Sequence, residues 1–164
     1  MDNPLLGFAA VAALVLANGF FVATEFAIVA VRTSRLDQLA AQGNASARAA
    51  RAVVGRLDTF IAACQLGITM ASLALGWIGE PAFAHIIEPI LEPLVGAFAE
   101  TAAHSVAVGV SFALITALHI VIGELAPKGV ALQRPEATAL AVARPMQIFE
   151  RVFRLPIQLL NGVP

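Results

Sequence analysis

Two carboxylates, Glu25 and Glu124, sit inside long apolar stretches of this chain. A carboxylate at bilayer depth is costly and persists only with a partner: a proton, a basic side chain or a bound cation. Other polar residues surround them at helical spacing. Asn18, Phe21 and Glu25 follow i, i+3 and i+7, so Asn18 and Glu25 share a helix face with Thr24 beside them. A second apolar stretch carries Gln65, Thr69 and Ser72, and a third closes with His119-Ile120-Val121-Ile122-Gly123-Glu124-Leu125-Ala126-Pro127-Lys128. Pro127 has no N–H for the carbonyl of Gly123 one turn earlier and crowds that turn. A freed carbonyl next to a carboxylate makes an oxygen-lined notch.

At about 1.5 Å per helical residue, Thr24 and Glu25 lie roughly 10 Å from Arg32, and Glu124 roughly 6 Å from Lys128. Gln65 and Thr69, counted from the start of their own stretch, reach a similar level, with Ser72 one turn deeper. Carboxylate, hydroxyl and carbonyl oxygens are the ligands of a hard divalent cation, and no Cys or His cluster suggests zinc or copper. Blander roles compete for each residue. Serine and threonine in membrane helices commonly bond back to the preceding turn. Glu25 is within reach of Arg32, Glu124 can pair with Lys128 at i, i+4, and His119 suits packing or hydrogen bonding better than ligation. A Ser72–His119 protease dyad fits poorly: Ala71-Ser72-Leu73 lacks exposing glycines and no oxyanion donors are evident. No His-Glu-x-x-His stretch occurs either, so the reading is not enzymatic.

The elements that must position these groups follow from composition and charge. The 164 residues are 59% hydrophobic and 13% charged, too apolar for a soluble domain of this size. The basic residues are spaced singly without aromatic interleaving, which excludes a nucleic-acid-binding face. The single cysteine, Cys64, lies in an apolar run and reads as a small core residue. The N-terminus lacks the basic region of a secretory signal, and the first apolar run is long enough to span.

The chain reads as an all-α membrane protein with spans at about residues 4–31, 59–77 and 104–126. Residues 32–58 read as an amphipathic helical hairpin broken at Gly43-Asn44, its arginines toward lipid headgroups. Residues 79–103 carry Pro81, Pro89 and Pro93, four glutamates and no basic residue, and read as an outer loop with short helices. Residues 136–155 read as a juxtamembrane amphipathic helix. All ten Lys and Arg residues fall in two blocks, from Arg32 to Arg56 and from Lys128 to Arg154. The positive-inside rule puts both blocks in the cytoplasm, with the N-terminus outside and the C-terminus inside.

Three ordered motifs then carry a resemblance. Asn18-Gly19-Phe20-Phe21-Val22-Ala23-Thr24-Glu25-Phe26-Ala27, Gly67-Ile68-Thr69-Met70-Ala71-Ser72-Leu73-Ala74-Leu75-Gly76 and Gly123-Glu124-Leu125-Ala126-Pro127-Lys128 resemble the signature stretches of the CorC/CNNM transmembrane domain. The resemblance implies a multi-pass cell-membrane transporter of Mg²⁺, working as an exporter with proposed Na⁺ coupling, and a homodimer. It implies a cation held between three helices and a juxtamembrane belt, with Thr24, Ser72, Glu124 and the Gly123 carbonyl as metal ligands. Asn18, Glu25, Gln65, Thr69 and His119 would line or support the pathway, and Gly123 and Pro127 would form the hinge. Ser72 stands where relatives often carry Asn, which leaves the ligand of the second span open between Ser72 and Thr69. Relatives continue into a cytoplasmic CBS module that binds ATP, which implies that this chain is a fragment. Two other readings stay open: a membrane-embedded Mg²⁺ sensor or scaffold that does not transport, and a lipid-binding adaptor acting through the basic hairpin.

Overall fold

The computed structural model describes residues 4–95 and 100–162, and every regular element among them is helical. In a bilayer the backbone must satisfy its own polar groups, and a helix does so within one segment. The elements are α1 (Pro4–Ala30), α2 (Thr33–Ala41), α3 (Ala45–Val54), α4 (Leu57–Val95), α5 (Glu100–Leu118), a π-helical segment (His119–Leu125), α6 (Ala126–Gln133), α7 (Pro135–Val152) and α8 (Arg154–Asn161). Three stretches are long and apolar enough to cross a membrane: Leu5–Ala30, Leu57–Phe83 and Ser105–Gln133. The third runs through α5, the π segment and α6 without a break.

Small residues let these spans approach closely, since packing rather than solvent exclusion holds helices together in lipid. A Cβ on Gly67 of α4 would stand 2.5 Å from the Phe21 ring of α1, so the ring occupies the space a side chain would take. Phe21 stacks in turn on Phe20 and on Phe149 of α7, with centroids 5.2 and 4.7 Å apart. Toward the chain's N-terminus, Val11 and Val15 of α1 pack with Leu75 of α4 and Ile115 of α5. Cys64 is buried in the larger core cluster, as a small packing residue should be.

The helical hairpin of α2 and α3 turns at Gly43, whose φ of 89° is a left-handed conformation that glycine adopts without strain. The Asn44 side chain then caps α3 by accepting from the Ala47 N–H at 3.0 Å. The sequence reading placed the arginines of this hairpin but named no partner for its apolar stripe. Leu36, Ala50 and Val53 bury against Ala139, Ala143 and Met146 of α7 and Ile157 of α8, making a protein core, and Ala47 beside them is also buried. Three of the arginines are likewise paired within the fold: Arg35 with Glu136 at 3.1 Å, Arg51 with Asp37 at 2.7 Å and Arg56 with Glu150 at 3.5 Å. The acidic partners of Arg35 and Arg56 lie about a hundred residues away, beyond any local pattern.

Two boundaries also differ. The second span, expected to stop near residue 77, continues as one helix to Val95 despite Pro81, and the short helices expected across 79–103 are therefore not separate as far as that point. Packing explains the extension: Phe83 meets Phe8 of α1 edge-on at 5.1 Å, and Ala82 abuts Gly7. Residues 96–99 of that expected loop lie outside the described residues. The third span, expected to end at 126, continues to Gln133, with Pro127 in the first turn of α6, where a missing N–H is tolerated. The juxtamembrane helix expected at 136–155 is α7, and a separate α8 follows it.

The Phe21–Gly67 contact sets the spacing of α1 and α4. Gly67→Ala should destabilise the domain by about 1–3 kcal/mol, the cost of overpacking a filled site. Thermal unfolding in detergent measures it, and Phe21→Leu in the same chain should recover part of the loss. An unchanged melting temperature in Gly67→Ala would show that the ring is free to move aside.

Candidate functional site

The third span carries one irregular segment. In the π segment, backbone bonds reach five residues back, as when the Ala126 N–H donates to the Val121 carbonyl. Pro127 follows directly and has no N–H for Gly123, four residues earlier, or Ile122, five earlier. An unpaired carbonyl buried in a membrane domain costs free energy unless another group donates to it. Asn18 of α1 does so: its Nδ2 donates to the Gly123 carbonyl at 3.0 Å, with both residues buried. Two glycines permit the approach. A Cβ on Gly123 would lie 3.3 Å from Asn18 Nδ2 and 3.0 Å from the His119 ring, and one on Gly19 would lie 2.9 Å from the Pro127 ring.

Other polar groups attach to this bond. Ser72 Oγ of α4 lies 3.5 Å from Asn18 Oδ1 and 3.4 Å from His119 Nε2. His119 Nε2 lies 3.5 Å from a Glu124 carboxylate oxygen. With the proton on Nε2 the chain has one direction: His119 donates to Ser72, Ser72 to Asn18, and Asn18 to Gly123. Amide, hydroxyl, imidazole, carboxylate and carbonyl from all three spans therefore meet in one cluster. His119 is 19% exposed at its side chain and Glu124 42%, so the cluster is closed at Asn18 and opens at the carboxylate. Only the Asn18–Gly123 bond is short; contacts of 3.4–3.5 Å are weak and cost little to re-aim.

The remaining expected residues are placed elsewhere. Thr24 is buried, but its hydroxyl donates to the Phe20 carbonyl one turn back at 2.7 Å, and it shares no hydrogen bond with Ser72 or Glu124. Glu25 is half-buried. Lys128 lies 4.6 Å above the Phe26 ring, a cation–π contact that holds the ammonium beside α1. Glu124 and Lys128 thus do not form the i, i+4 pair that the sequence allows; Glu124 faces His119 and Lys128 faces Phe26. Gln65 and Thr69 are exposed, with Thr69 donating to the Gln65 carbonyl at 2.8 Å. Both line an open groove of about 480 Å³ together with Asp58 and Leu160 of α8. Sequence reasoning missed Asp58 as part of this face, although the steps from Asp58 to Gln65, Thr69 and Ser72 (seven, four and three residues) keep all four on one side of α4.

The Ser72–His119 contact also bears on hydrolysis. In a catalytic triad the histidine takes the serine proton on one ring nitrogen and is held by the acid through the other. Here Ser72 and Glu124 both address Nε2, so a relay cannot run through the ring. Among the described residues no three His, Cys, Asp or Glu side chains gather in one place. The donor set is one carboxylate with neutral oxygens, the type that suits a hard cation.

Residues 9–163 match the CNNM family model, described as the cyclin M transmembrane N-terminal domain. The chain belongs to this family. It is similar to the UPF0053 proteins YhdT and YrkA of Bacillus subtilis, at 47% identity over 149 residues and 44% over 151. Each alignment covers 91% of this chain, but only 32% of YhdT and 34% of YrkA. An uncharacterized protein of Mycobacterium tuberculosis is 36% identical over 149 residues, covering 91% of this chain and 41% of that protein. The chain thus spans about a third of the length of the two Bacillus relatives. Family membership and the three apolar helices together make this a membrane domain of the CNNM type.

The Asn18–Gly123 bond exists because Pro127 leaves that carbonyl without its helical donor. In a double-mutant cycle, Asn18→Ala should cost about 1–2 kcal/mol alone. In a Pro127→Ala background, where a backbone N–H returns, it should cost less. Equal costs in the two backgrounds, read from thermal unfolding in detergent, would show that the proline does not create the demand.

Proposed function

We propose that this domain moves a divalent cation, Mg²⁺, across the membrane along a path through the polar cluster. The family is linked to transport of Mg²⁺ and other divalent cations, which supports the class of substrate. The observation that carries the reading is the convergence of Asn18, Ser72, His119, Glu124 and the Gly123 carbonyl from three spans beside a π segment. A lone carboxylate against neutral oxygens at this depth lowers its free energy by taking a positive ion.

In this reading Ser72, Glu124 and the Gly123 carbonyl supply oxygens to the ion, and Asn18 sets the carbonyl's position. Thr24 adds an oxygen whose proton is already committed to Phe20, so only lone pairs face a ligand. His119 braces the cluster through Ser72 and Glu124 and yields as the ion enters. The groove with Asp58, Gln65 and Thr69 is the approach from the side of the basic blocks, which the positive-inside rule makes cytoplasmic. Gly123 and Pro127 form the hinge. Reverting the π segment to α geometry rotates the residues beyond it by about 100°, one residue of a 3.6-residue turn. That change would re-aim Glu124, near the end of the segment, relative to Ser72 and change which side the ion sees. Outward direction, Na⁺ coupling, homodimer formation, residence in the cell membrane and a cytoplasmic CBS module are added by the family resemblance.

Mg²⁺ flux into sealed liposomes carrying the full chain tests the reading. Glu124→Ala and Ser72→Ala should each lower flux by about 10–100-fold, while Leu73→Ala, on the exposed face, should leave it near wild type. Wild-type protein that binds Mg²⁺ yet carries no flux would instead make the domain a sensor. Undiminished flux in Glu124→Ala would remove the carboxylate from the path.

A further inference from the structure

A second polar site lies away from the cation cluster. The end of α1, the start of α2 and the junction of α6 with α7 enclose an open cleft of about 900 Å³. Arg32, Arg35 and Arg134 line it, against one carboxylate, Glu136. That carboxylate is engaged with Arg35 at 3.1 Å, and Arg35 also donates to Gln38 at 3.3 Å. Arg32 and Arg134 are exposed and take part in none of the ion pairs or side-chain hydrogen bonds among the described residues. Of the other arginines in this region, Arg51 is paired with Asp37 and Arg56 with Glu150, while Arg48 has no ion pair among the described residues but lies outside the cleft. Two unpaired guanidinium groups thus share one concavity with a third that is already neutralised.

The backbone adds to the same field. Arg32 and Arg134 are the N-cap residues of α2 and α7, and neither helix start receives a side-chain cap. The first N–H groups of a helix have no intrahelical acceptor and carry the positive end of its dipole. Ser34 at the rim offers a hydroxyl. Ala30 and Val31 close the first span and Gln133 closes the third, so the cleft lies at the level where a bilayer presents its headgroups.

We propose that this cleft binds a phosphate ester, supplied by the headgroup of an anionic phospholipid. Guanidinium forks match phosphate oxygens in pairs, and the two free arginines neutralise the phosphodiester charge. Val31, Leu140 and Pro135 give the glycerol and upper acyl region an apolar wall. A lipid seated here ties α2 to the α6–α7 junction, next to the Arg35–Glu136 bridge that already links them.

Native mass spectrometry of the full chain, released from membranes containing phosphatidylglycerol and phosphatidylcholine, tests this. Wild type should retain phosphatidylglycerol in preference to phosphatidylcholine. Arg32→Ala/Arg134→Ala should weaken that retention by about thirty-fold, from two arginines near the membrane surface. Arg48→Ala, an arginine outside the cleft, should retain it. A parallel titration of delipidated protein with inorganic phosphate separates the sources: saturable binding lost in the double variant, without lipid preference, overturns the lipid assignment in favour of a soluble phosphate. Equal loss in Arg48→Ala, or no loss in the double variant, overturns the site altogether. Both variants change exposed side chains, and circular dichroism confirms that they remain helical.

Discussion

A backbone carbonyl in a membrane domain has to find a donor, and at Gly123 the donor comes from another helix. Pro127 removes the intrahelical N–H, the π segment redistributes the neighbouring bonds, and Asn18 closes the account across α1. This bond fixes the register of the first and third spans. Register in turn decides that Ser72 of the second span meets Asn18 and His119 rather than lipid. A shift of one residue along α1 would turn Asn18 through about 100° and leave both the amide and the carbonyl unsatisfied.

Around that centre the molecule divides into two kinds of packing. The spans are held by close approach of small residues to rings, as with Gly67 and Phe21, because lipid offers no solvent-exclusion force between helices. The belt of α2, α3, α7 and α8 has a core of ordinary amphipathic type, with Leu36, Val53, Met146 and Ile157 buried together. Phe21 and Phe149 join the two regions, so a displacement of the belt bears on the helix that carries Asn18. The belt thereby has a mechanical route to the polar cluster, and the arginine cleft lies on it between α2 and α7.

Much of the polar cluster was legible in the residues. The proline four positions after Gly123 announced a freed carbonyl, and Asn18, Ser72, His119 and Glu124 stood out as polar groups in apolar runs. What the pattern could not give was pairing. Thr24 and Ser72 look equivalent as hydroxyls, but Thr24 satisfies itself on its own helix while Ser72 reaches across to α1 and the π segment. Glu124 looks ready for Lys128 at i, i+4, yet the local winding and the Phe26 ring send the two side chains apart. Helix ends were misjudged for a related reason. The segment with Pro81 read as a loop of short helices, whereas contacts such as Phe83 on Phe8 accompany one continuous helix, and the third span likewise runs on past Pro127.

The sequence alone determined that the chain is helical and apolar enough to span three times, and that costly polar groups lie within those spans. Both are properties of a single segment in its solvent: hydropathy, charge placement and the demand that backbone groups pair locally. The tertiary structure decided which polar groups meet. That depends on helix register and crossing, set by contacts such as Phe21 on Gly67 between residues far apart in the chain. No local pattern encodes those distances, because each is the outcome of all the helices packing at once.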